Sequence, residues 1–504
     1  MNDQAAETSS RWRLRLAQAV ANSSGPSLSE VGRVREMNDG VVVVEGLTRA
    51  ASEEMLTIDQ PGGPVSALAL SLSLNEVRCL VLGDEAGIAA GAAVRRTGQV
   101  LKVPVGDSLL GRVIGPMGTP LDGGGPIVPG DHWPAEREPL TIADRAHVCR
   151  PLETGLLAID ALLPLGLGQR QLIIGDRRTG KTTLALEAMV AQSLRGVIVI
   201  YAAIGQRASA TANAIEHLRQ FADFSNVLAV VAGPDDSAGS QWLLPFAATT
   251  MAEYWVSHGR DVLIVYDDLV KHAAVHRQVS LLLRQAPGRE AFPGDIFHLH
   301  ARLLERAGQV SASKGGASLS ALPIAELQAG NLTAYIPTNL VSITDGQILM
   351  DAKLWQSGQR PAINIGLSVS RIGGNAQSPA LRKGAGQIRL DYAQFLDLES
   401  FARFGGAMEA DALLRLEHGK RIRAAMVQKP GKRLSQAGTL AILRAITSKA
   451  IDRLPIDQVG AFREQLNLAV GDRTPAIPAA IAAGDTLSDE MAISLDQLIS
   501  NLLP

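Results

Sequence analysis

A chain of 504 residues predicts two to four domains rather than one hydrophobic core. Its composition, 46% hydrophobic and 19% charged, is that of a folded soluble protein and excludes extended disorder. The formal net charge of −2 does not indicate a basic surface that would bind nucleic acid or an anionic membrane. Cys79 and Cys149 are too few for a disulfide framework and predict free thiols in a reducing cytoplasm.

The apolar runs have the length of strands, and none reaches the roughly 20 residues that a membrane-spanning helix needs. The N-terminal sequence MNDQAAETSS lacks the basic and apolar regions of a signal peptide. A role at a membrane would therefore depend on docking by partner proteins.

Residues 1–29 are predicted to form a separate N-terminal arm. Trp12, Leu16 and Val20 are spaced four residues apart, which places them on one face of a helix. This arm is either a frayed terminus or a short docking helix.

Residues 30–99 show an all-β pattern. The tripeptide Asn38–Gly40 lies between the apolar runs VGRVREM and VVVVEG and predicts a hairpin. Further short apolar runs follow, broken by Gly and Pro, and they predict a small barrel or sandwich.

Residues 100–376 alternate apolar runs of strand length with helical stretches. LIIG, VIVIYAAIG, VLAVVAG and VLIVYDD are continuous apolar runs, which are typical of strands buried on both faces of a parallel sheet. The segment is therefore predicted to be an α/β domain.

Residues 377–504 are predicted to form a helical domain, because the strand-like runs stop. Ile388, Tyr392 and Phe395 mark the apolar face of one helix. Near the C-terminus, Thr486 is predicted to cap a last helix.

The sequence GDRRTGKT fits the P-loop pattern of Gly, four residues, Gly, Lys and Ser/Thr. An apolar strand precedes it and a helix-forming segment follows, which is the context that phosphate binding needs. Lys181 is predicted to reach the β- and γ-phosphates of a nucleotide, and Thr182 to offer its hydroxyl to Mg²⁺. Backbone N–H groups and the helix N-terminus add positive potential. The predicted phosphate-binding residues are Gly175, Asp176, Arg177, Arg178, Thr179, Gly180, Lys181, Thr182 and Thr183.

A second, acidic motif supports this site. VLIVYDD, residues Val262 to Asp268, is an apolar strand that ends in two carboxylates. Asp267 is predicted to hold Mg²⁺ through its water shell, because Mg²⁺ prefers few carboxylates and several waters.

Long stretches of the chain resemble the alpha subunits of F-type ATP synthases, which belong to the soluble head of a rotary enzyme. They include GDRRTGKTTLALE, AAIGQRASATA, AYIPTNLVSITDGQILM and RPAINIGLSVSRIGG. The resemblance implies an N-terminal β-barrel, a central P-loop α/β domain with a mainly parallel sheet, and a C-terminal helical domain, in agreement with the divisions above. It also implies that the chain binds ATP or ADP with Mg²⁺.

The resemblance further implies a set of partners. Alpha subunits alternate with catalytic beta subunits in a three-plus-three ring, which is joined to central and peripheral stalks and to an ion-translocating membrane sector. The expected location is the cytoplasmic face of the bacterial inner membrane, where the complex holds the chain. The whole assembly would be a translocase that couples ATP synthesis or hydrolysis to ion transport, whereas the chain alone would have little or no ATPase activity. Nucleic acid is not an expected partner.

Gln206, in IGQR, distinguishes this chain from the catalytic subunits that it resembles. In beta subunits a Glu at the corresponding position activates the attacking water. A neutral amide orients a water but is a very poor proton acceptor. The nucleotide bound by this P-loop is therefore expected to turn over slowly or not at all.

By the same resemblance, Arg371 in LSVSRIGG is expected to reach into the catalytic site of the neighbouring beta subunit. An arginine finger stabilises charge on the γ-phosphoryl oxygens and contributes on the order of 10³ to 10⁵ in rate. Its planar, five-donor guanidinium suits this role better than a lysine would. Ser342 also matches a family position near that interface.

The resemblance points to Arg360, Pro361 and Gln428 as contacts of the adenine base. The first two residues belong to the nucleotide-binding domain, and Gln428 belongs to the helical domain. The base would be held by shape and stacking, away from the phosphates.

Three positions near the nucleotide depart from the family pattern. Pro430 replaces the second glutamine of the usual pair, and Trp355 stands where a Phe is common. Arg178 replaces the more usual Gln of the P-loop, where an extra cation either faces solvent or strengthens phosphate binding.

Three histidines invite a metal interpretation. His272 and His276 are four residues apart, a spacing that places two ligands on one helix face. His298 follows, but no third ligand lies at a suitable spacing. A position on a helix surface or at an interface is therefore expected for these side chains.

Two other classes of protein are alternatives to this assignment. A self-sufficient homohexameric ATPase of related fold, such as a secretion motor, would have a Glu at position 206. A nucleic-acid motor of the Rho type would have a basic or aromatic binding surface. The near-neutral charge and the 4% aromatic content argue against the second class.

Overall fold

The computed structural model describes residues 30–403, 409–482 and 486–503. The chain falls into two compact units that divide between Val100 and Leu101. The predicted N-terminal arm, residues 1–29, lies outside the described residues. None of the described helices is both long and apolar enough to cross a membrane.

The first unit is a closed β-barrel, which confirms the barrel expectation. Its strands are β1 (Val31–Asn38), β2 (Val41–Glu45), β3 (Glu54–Ile58), β4 (Val65–Leu72), β5 (Glu76–Val81) and β6 (Ala93–Val100). They follow the order β1-β2-β5-β4-β3-β6 around the barrel, and aliphatic side chains fill its interior. The predicted hairpin joins β1 to β2: Asn38 pairs with Val41, and Asp39 and Gly40 both have the positive φ of a two-residue turn.

The second unit is built on one sheet whose central strands run parallel. Its strands are β8 (Val113–Ile114), β10 (Leu172–Gly175), β11 (Ile198–Ile204), β12 (Val227–Ala232), β13 (Val262–Asp267), β14 (Gly308–Gln309), β15 (Ser318–Glu326), β16 (Gly346–Met350) and β17 (Val369–Ser370). The order is β17-β16-β10-β15-β13-β11-β12-β8, and β14 pairs with β15. Only β14 and β17 are antiparallel to their neighbours among these described strands. The four apolar runs predicted as buried parallel strands are β10 to β13. A separate two-stranded ribbon contains β7 (Lys102–Val105) and β9 (Asp131–Pro134).

Helices cover both faces of this sheet. They are α1 (Leu157–Asp160), α2 (Lys181–Ser193), α3 (Ala208–Phe221), α4 (Ala238–Ser257), α5 (Leu269–Leu282), α6 (Ile296–Glu305), α7 (Tyr335–Ile343), α8 (Ala352–Gln356) and α9 (Gly373–Ala376). On one face, α2 shares an aliphatic cluster with Val199 and Tyr201 of β11. On the other face, the Tyr266 hydroxyl of β13 lies 2.7 Å from the Thr249 hydroxyl of α4.

The C-terminal part of this unit is helical, as expected. Its helices are α10 (Pro379–Arg403), α11 (Ala410–Met426), α12 (Gln436–Thr447), α13 (Val459–Arg473), α14 (Ala476–Ala482) and α15 (Asp489–Leu502). The predicted apolar face of α10 packs into the same cluster as α2. The predicted cap at Thr486 is wrong. Ser488 caps α15, because its hydroxyl is adjacent to the first turn and accepts from the Met491 N–H at 3.3 Å.

Candidate functional site

Two glycines shape the predicted P-loop, which lies at the carboxyl end of the parallel strands. Gly175 ends β10, and a Cβ there would lie 2.5 Å from the Met350 carbonyl oxygen. Gly180, directly before α2, has a φ of 92°, and its Cβ would lie 3.0 Å from the Trp355 ring. Side chains at these two positions would clash or strain the backbone, so the loop needs glycine at both.

Hydrogen bonds close the loop against the start of α2. Lys181 Nζ donates to the Asp176 carbonyl at 2.6 Å, and Thr179 Oγ1 donates to the same oxygen at 2.8 Å. Thr183 is exposed in the first turn of the helix. The loop is therefore held as a compact ring around the helix N-terminus, where unpaired N–H groups favour an anion.

Lys181 is the clearest sign of an anionic ligand. Its side chain is only 8% exposed, and burial lowers its pKa. Within the described residues its ammonium bonds to one carbonyl and contacts no carboxylate closely enough for an ion pair, while the charges of Glu326, Asp268, Asp267 and Asp176 compensate it only from a distance. A buried ammonium needs compensation by an opposite charge. The phosphates of a nucleotide would supply that charge.

Thr182 and Asp267 meet where α2 approaches the end of β13. Thr182 Oγ1 donates to Asp267 Oδ2 at 2.8 Å, and the Tyr201 hydroxyl donates to the same oxygen at 3.0 Å. Burial raises the pKa of Asp267 and raises that of Asp268 to about 7. Hydroxyl and carboxylate oxygens are donors that Mg²⁺ prefers, so this pair fits a magnesium ion that also binds a phosphate.

Gln206 follows β11 and lies beside the same carboxylate. Its Nε2 donates to Asp267 Oδ1 at 2.7 Å. Its Oε1 accepts from Lys271 Nζ at 2.7 Å, and Lys271 also donates to the Gly205 carbonyl at 3.0 Å. The amide is held between a carboxylate and an ammonium, so its oxygen is already engaged.

Other predicted P-loop residues form the rim of the site. Asp176 Oδ1 accepts from the Gly330 N–H at 2.7 Å, and Arg177 forms an ion pair with Glu326. Arg178 is exposed with a φ of 60°. Its guanidinium has no hydrogen-bond partner in the part of the chain that the structure describes.

The predicted base-binding residues adjoin the P-loop. The Trp355 ring lies against Gly180, and the Arg360 guanidinium stacks over that ring at 4.4 Å. Pro361 follows and is half-buried. The main-chain N–H of Gln428 donates to the Arg360 carbonyl at 2.7 Å, which brings the helical domain to the same place.

The side chain of Gln428, however, is bound entirely by protein. It is 3% exposed, and its Oε1 accepts from the Leu157 N–H at 2.6 Å. Its Nε2 donates to the carbonyls of Gly155 and Lys432, both at 2.9 Å. Both amide hydrogens are used, so this side chain anchors the loop that carries it.

Sequence reasoning did not find a second anchor of this loop. Glu187 on α2 accepts from Arg433 Nη1 at 2.9 Å and from the Gly431 N–H at 3.1 Å. Glu187 lies on the buried side of the P-loop helix, six residues after Lys181. The loop after α11 is therefore tied to the helix that would receive the phosphates.

Tyr201 and Lys271 were also not predicted. Tyr201 lies on β11, which is adjacent and parallel to β13, so its hydroxyl reaches Asp267 from the neighbouring strand. Lys271 lies in the first turn after the two aspartates, and this position could have indicated its role.

Arg371 lies away from all these residues. Antiparallel β17 ends where β16 begins: Ser370 pairs with Gly346, and the Arg371 N–H donates to the Asp345 carbonyl at 2.9 Å. Arg371 is therefore at the amino end of the parallel strands, whereas the P-loop follows their carboxyl end. At about 3.3 Å per residue, the length of β16 separates the two ends by roughly 15 Å.

The side chain of Arg371 is exposed. Its guanidinium donates to the Thr344 carbonyl at 3.4 Å, a long contact. Ser342, two residues before Thr344, is also exposed, and its hydroxyl donates to the Thr338 carbonyl at 3.0 Å. These side chains point to a surface separate from this chain's own P-loop.

The three histidines were expected on a helix surface or at an interface, and the surface alternative is wrong for two of them. His272 and His276 are buried, and only His298 is exposed. His272 Nε2 donates to the Trp242 carbonyl at 3.0 Å, so its Nδ1 accepts from His300 Nε2 at 3.2 Å. Burial lowers the pKa of His272 to about 3 and also lowers those of His276 and His300. The described residues contain no group of three or more His, Cys, Asp or Glu side chains arranged to hold a metal ion.

Each of the three parts of the chain matches a domain of a known protein family. The beta-barrel domain of the ATP synthase alpha/beta family matches residues 28–98, and the nucleotide-binding domain of that family matches residues 155–370. The C terminal domain of the ATP synthase alpha/beta chain matches residues 377–502.

Several similar proteins match this chain over nearly its whole length. A protein of Burkholderia thailandensis named ATP synthase subunit alpha 2 is 47% identical over 498 residues, or 99% of this chain and 89% of that protein. A protein of the same name from Burkholderia pseudomallei is 47% identical over 97% of this chain and 74% of its own length. One from Cereibacter sphaeroides is 50% identical over 88% of each chain.

Proposed function

The chain belongs to the ATP synthase alpha/beta family, and from this premise we propose that it acts as a non-catalytic, nucleotide-binding alpha subunit. It would bind MgATP or MgADP at its own P-loop and hydrolyse ATP slowly or not at all. It would also complete the catalytic site of a neighbouring beta subunit. The observation that carries this proposal is the Gln206 amide, whose oxygen accepts from Lys271 at 2.7 Å.

Slow turnover follows from the chemistry of that amide. Hydrolysis needs a group that orients the attacking water and accepts its proton, and an amide accepts protons very poorly. The Gln206 oxygen already accepts from an ammonium, which weakens it further as a partner for water. Asp267 is not offered for this step either, because its oxygens already accept hydrogen bonds from Thr182, Tyr201 and Gln206.

Binding is supported by the buried charge of the site. Lys181 and the N–H groups of the P-loop would hold the phosphates, and Arg178 would add a cation at the rim. Thr182 and Asp267 would hold Mg²⁺, with Asp267 acting through water. Bound Mg²⁺ would offset the negative charge of the phosphates and of Asp267 at the end of β13.

The second role belongs to Arg371. The exposed Arg371 guanidinium lies at the amino end of the sheet, roughly 15 Å along a strand from the P-loop of the same chain. It would therefore serve a site on another subunit. There it would stabilise the charge that develops on the γ-phosphoryl oxygens. Ser342 lies on the same surface and would line that contact.

The assembly would be the one implied by the family. The chain would alternate with beta subunits in a ring, contact the stalk subunits, and couple ATP synthesis or hydrolysis to ion transport by a membrane sector. It would be held peripherally at the cytoplasmic face of the membrane by these partners. Its relatives carry the name of ATP synthase subunits.

ATP turnover by the purified chain, alone and mixed with its beta partner, tests the proposal. The chain alone should show almost no ATP turnover, and the mixture should be active. The mixture containing Arg371→Ala should have almost no activity. Fast hydrolysis by the chain alone would refute the non-catalytic assignment and favour a self-sufficient motor.

A further inference from the structure

We propose that Tyr201 is a positioning residue of the nucleotide site: its buried hydroxyl fixes the Asp267 carboxylate for Mg²⁺, so the gain in ATP affinity that Mg²⁺ brings depends on this hydroxyl. The inference rests on the proposed function, because it takes Thr182 and Asp267 to hold Mg²⁺ beside the phosphates. Tyr201 itself would contact neither the metal ion nor the nucleotide.

Tyr201 lies almost wholly buried in the sheet. Its side chain is 1% exposed, and its ring belongs to the aliphatic cluster that α2 shares. In the parallel pairing of β11 with β13, Tyr201 lies opposite Val265, and Asp267 follows two residues further along β13. Because successive side chains of a strand alternate between faces, Asp267 is on the same face as Val265. The Tyr201 side chain therefore extends along this face to the carboxylate, which its hydroxyl contacts at 3.0 Å.

Hydrogen bonds hold both oxygens of the Asp267 carboxylate. Among the described residues, Oδ2 accepts from Tyr201 and from the Thr182 hydroxyl at 2.8 Å, and Oδ1 accepts from the Gln206 amide at 2.7 Å. A carboxylate oxygen accepts about two hydrogen bonds, so Oδ2 is fully used and Oδ1 keeps one position. At that remaining position the carboxylate would accept a hydrogen from a metal-bound water.

The Tyr201 hydroxyl is the most firmly placed of the three donors. It extends from the middle of β11 within a packed cluster, whereas Gln206 is half-buried in the loop after that strand and Thr182 is also needed as a metal ligand. The torsion that orients a carboxylate is soft, so without this donor the plane of the Asp267 carboxylate would turn. Groups that orient the ligands of a metal ion typically contribute about 10- to 100-fold in metal affinity.

The neighbouring strand provides a matched control in Tyr266. This residue of β13 is 0% exposed and lies opposite Ala202 of β11. Its hydroxyl lies 2.7 Å from the Thr249 hydroxyl, on the other face of the sheet from Asp267. Tyr266→Phe therefore removes a buried tyrosine hydroxyl without removing a hydrogen bond to the carboxylate.

Equilibrium binding of ATP to the purified full chain, with Mg²⁺ and with EDTA, tests this inference. The dissociation constant in EDTA divided by that in Mg²⁺ gives the gain in affinity due to the metal ion. Tyr201→Phe should reduce this ratio by about tenfold, the low end of the range above, because Asp267 acts through water. Its ATP affinity in EDTA should equal that of the parent, which also shows that the variant is folded. Tyr266→Phe should leave the ratio unchanged.

Asp267→Asn shows whether Tyr201 acts through the carboxylate. This change should lower the ratio by itself, and adding Tyr201→Phe to it should cause no further loss, because residues that act through one interaction are not additive. Losses that multiply in the double variant would place the action of Tyr201 elsewhere and overturn the inference.

The other results separate this inference from the proposed function. An unchanged ratio in Tyr201→Phe, or an equal fall in Tyr266→Phe, would overturn the positioning role and leave the nucleotide site in place. Loss of ATP binding by Tyr201→Phe in EDTA would overturn it as well, because the hydroxyl would then have a general structural role. If the parent chain binds no ATP, or if Asp267→Asn keeps the full ratio, the proposed metal site is itself refuted and the inference falls with it.

Discussion

Lys271 donates a hydrogen bond from Nζ to the side-chain oxygen of Gln206 at 2.7 Å, and this contact governs what a carboxylate could do at that position. A glutamate at residue 206 would pair with the same ammonium, which lowers the basicity of a carboxylate. It would also lie beside Asp267, which the present amide nitrogen contacts at 2.7 Å. The amide therefore suits its surroundings better than a general base would.

We expect Gln206→Glu alone to leave ATP turnover by the isolated chain within about tenfold of the parent, because a carboxylate paired with an ammonium is a weak proton acceptor. The double variant Gln206→Glu, Lys271→Met should turn over faster than either single variant. Steady-state phosphate release measures the effect. Rapid turnover by Gln206→Glu alone would show that Lys271 does not restrain this position.

Lys181→Met should abolish stabilisation of the chain by MgATP. A ligand at 100 times its dissociation constant stabilises a protein by about 2.7 kcal/mol, and the variant lacks the ammonium that would hold the phosphates. Without nucleotide, the variant should unfold at the same or a higher temperature, because an apolar side chain replaces a buried charge. Thermal unfolding with and without MgATP measures both effects, and Lys383→Met is the exposed control. An undiminished shift with MgATP in Lys181→Met would argue against phosphate binding at this loop.

Arg371→Ala should reduce ATP turnover of the assembled complex by about 10³-fold or more, because the transition state would lose a guanidinium. Nucleotide binding by the isolated variant should equal that of the parent, since Arg371 lies at the far end of the sheet from the P-loop. Arg371→Lys should recover only part of the activity, because an ammonium cannot form the planar fork. Arg415→Ala, on the exposed side of α11, is the control. An active Arg371→Ala complex would remove this residue from catalysis.

Acid should destabilise the core around His272. The pKa of this side chain falls to about 3 on folding because the ring is buried, whereas the unfolded chain has a value of about 6.5. Between these values the unfolded state binds the proton and the folded state does not, so stability falls as pH is lowered. Each such histidine contributes a slope of at most about 1.4 kcal/mol per pH unit.

The unfolding midpoint of His272→Gln, measured from pH 7 to pH 4.5, checks this prediction. The variant should lose less stability than the parent over that range. Asp160 acts in the opposite direction, because burial raises its pKa to about 6, but its contribution is common to both proteins. Parallel pH profiles of the two proteins would contradict the assignment to His272.

The features predicted correctly from sequence are those that depend on local pattern. The P-loop, the apolar strands and the Asn38–Gly40 hairpin are each encoded within a few consecutive residues, so periodicity and turn chemistry reveal them. The position of Asp267 at the end of an apolar strand was predicted for the same reason, and its role in holding Mg²⁺ stays a prediction.

The features that the sequence did not predict depend on contacts between residues that are far apart along the chain. Gln428 bonds to Gly155 across 273 positions of the chain, so nothing near it in sequence shows that its amide is already satisfied. His272 was expected on a helix surface or at an interface because no third metal ligand lies at a suitable spacing, but Trp242 and His300 supply partners that let its ring be buried within the chain. Side-chain pairing of this kind is a product of the tertiary fold.

The short strand β17 has a consequence for symmetry. Because β17 turns back along β16, Arg371 lies at the amino end of the parallel strands and the P-loop at their carboxyl end. A contact that joins one of these ends to the opposite end in the next subunit would be heterologous. Contacts of this type, repeated, either close into a ring or continue as a filament, and in both cases every member faces the same way around. In the proposed ring, the two residues of β17, which run against the direction of the sheet, would thus set the sense in which subunits succeed one another.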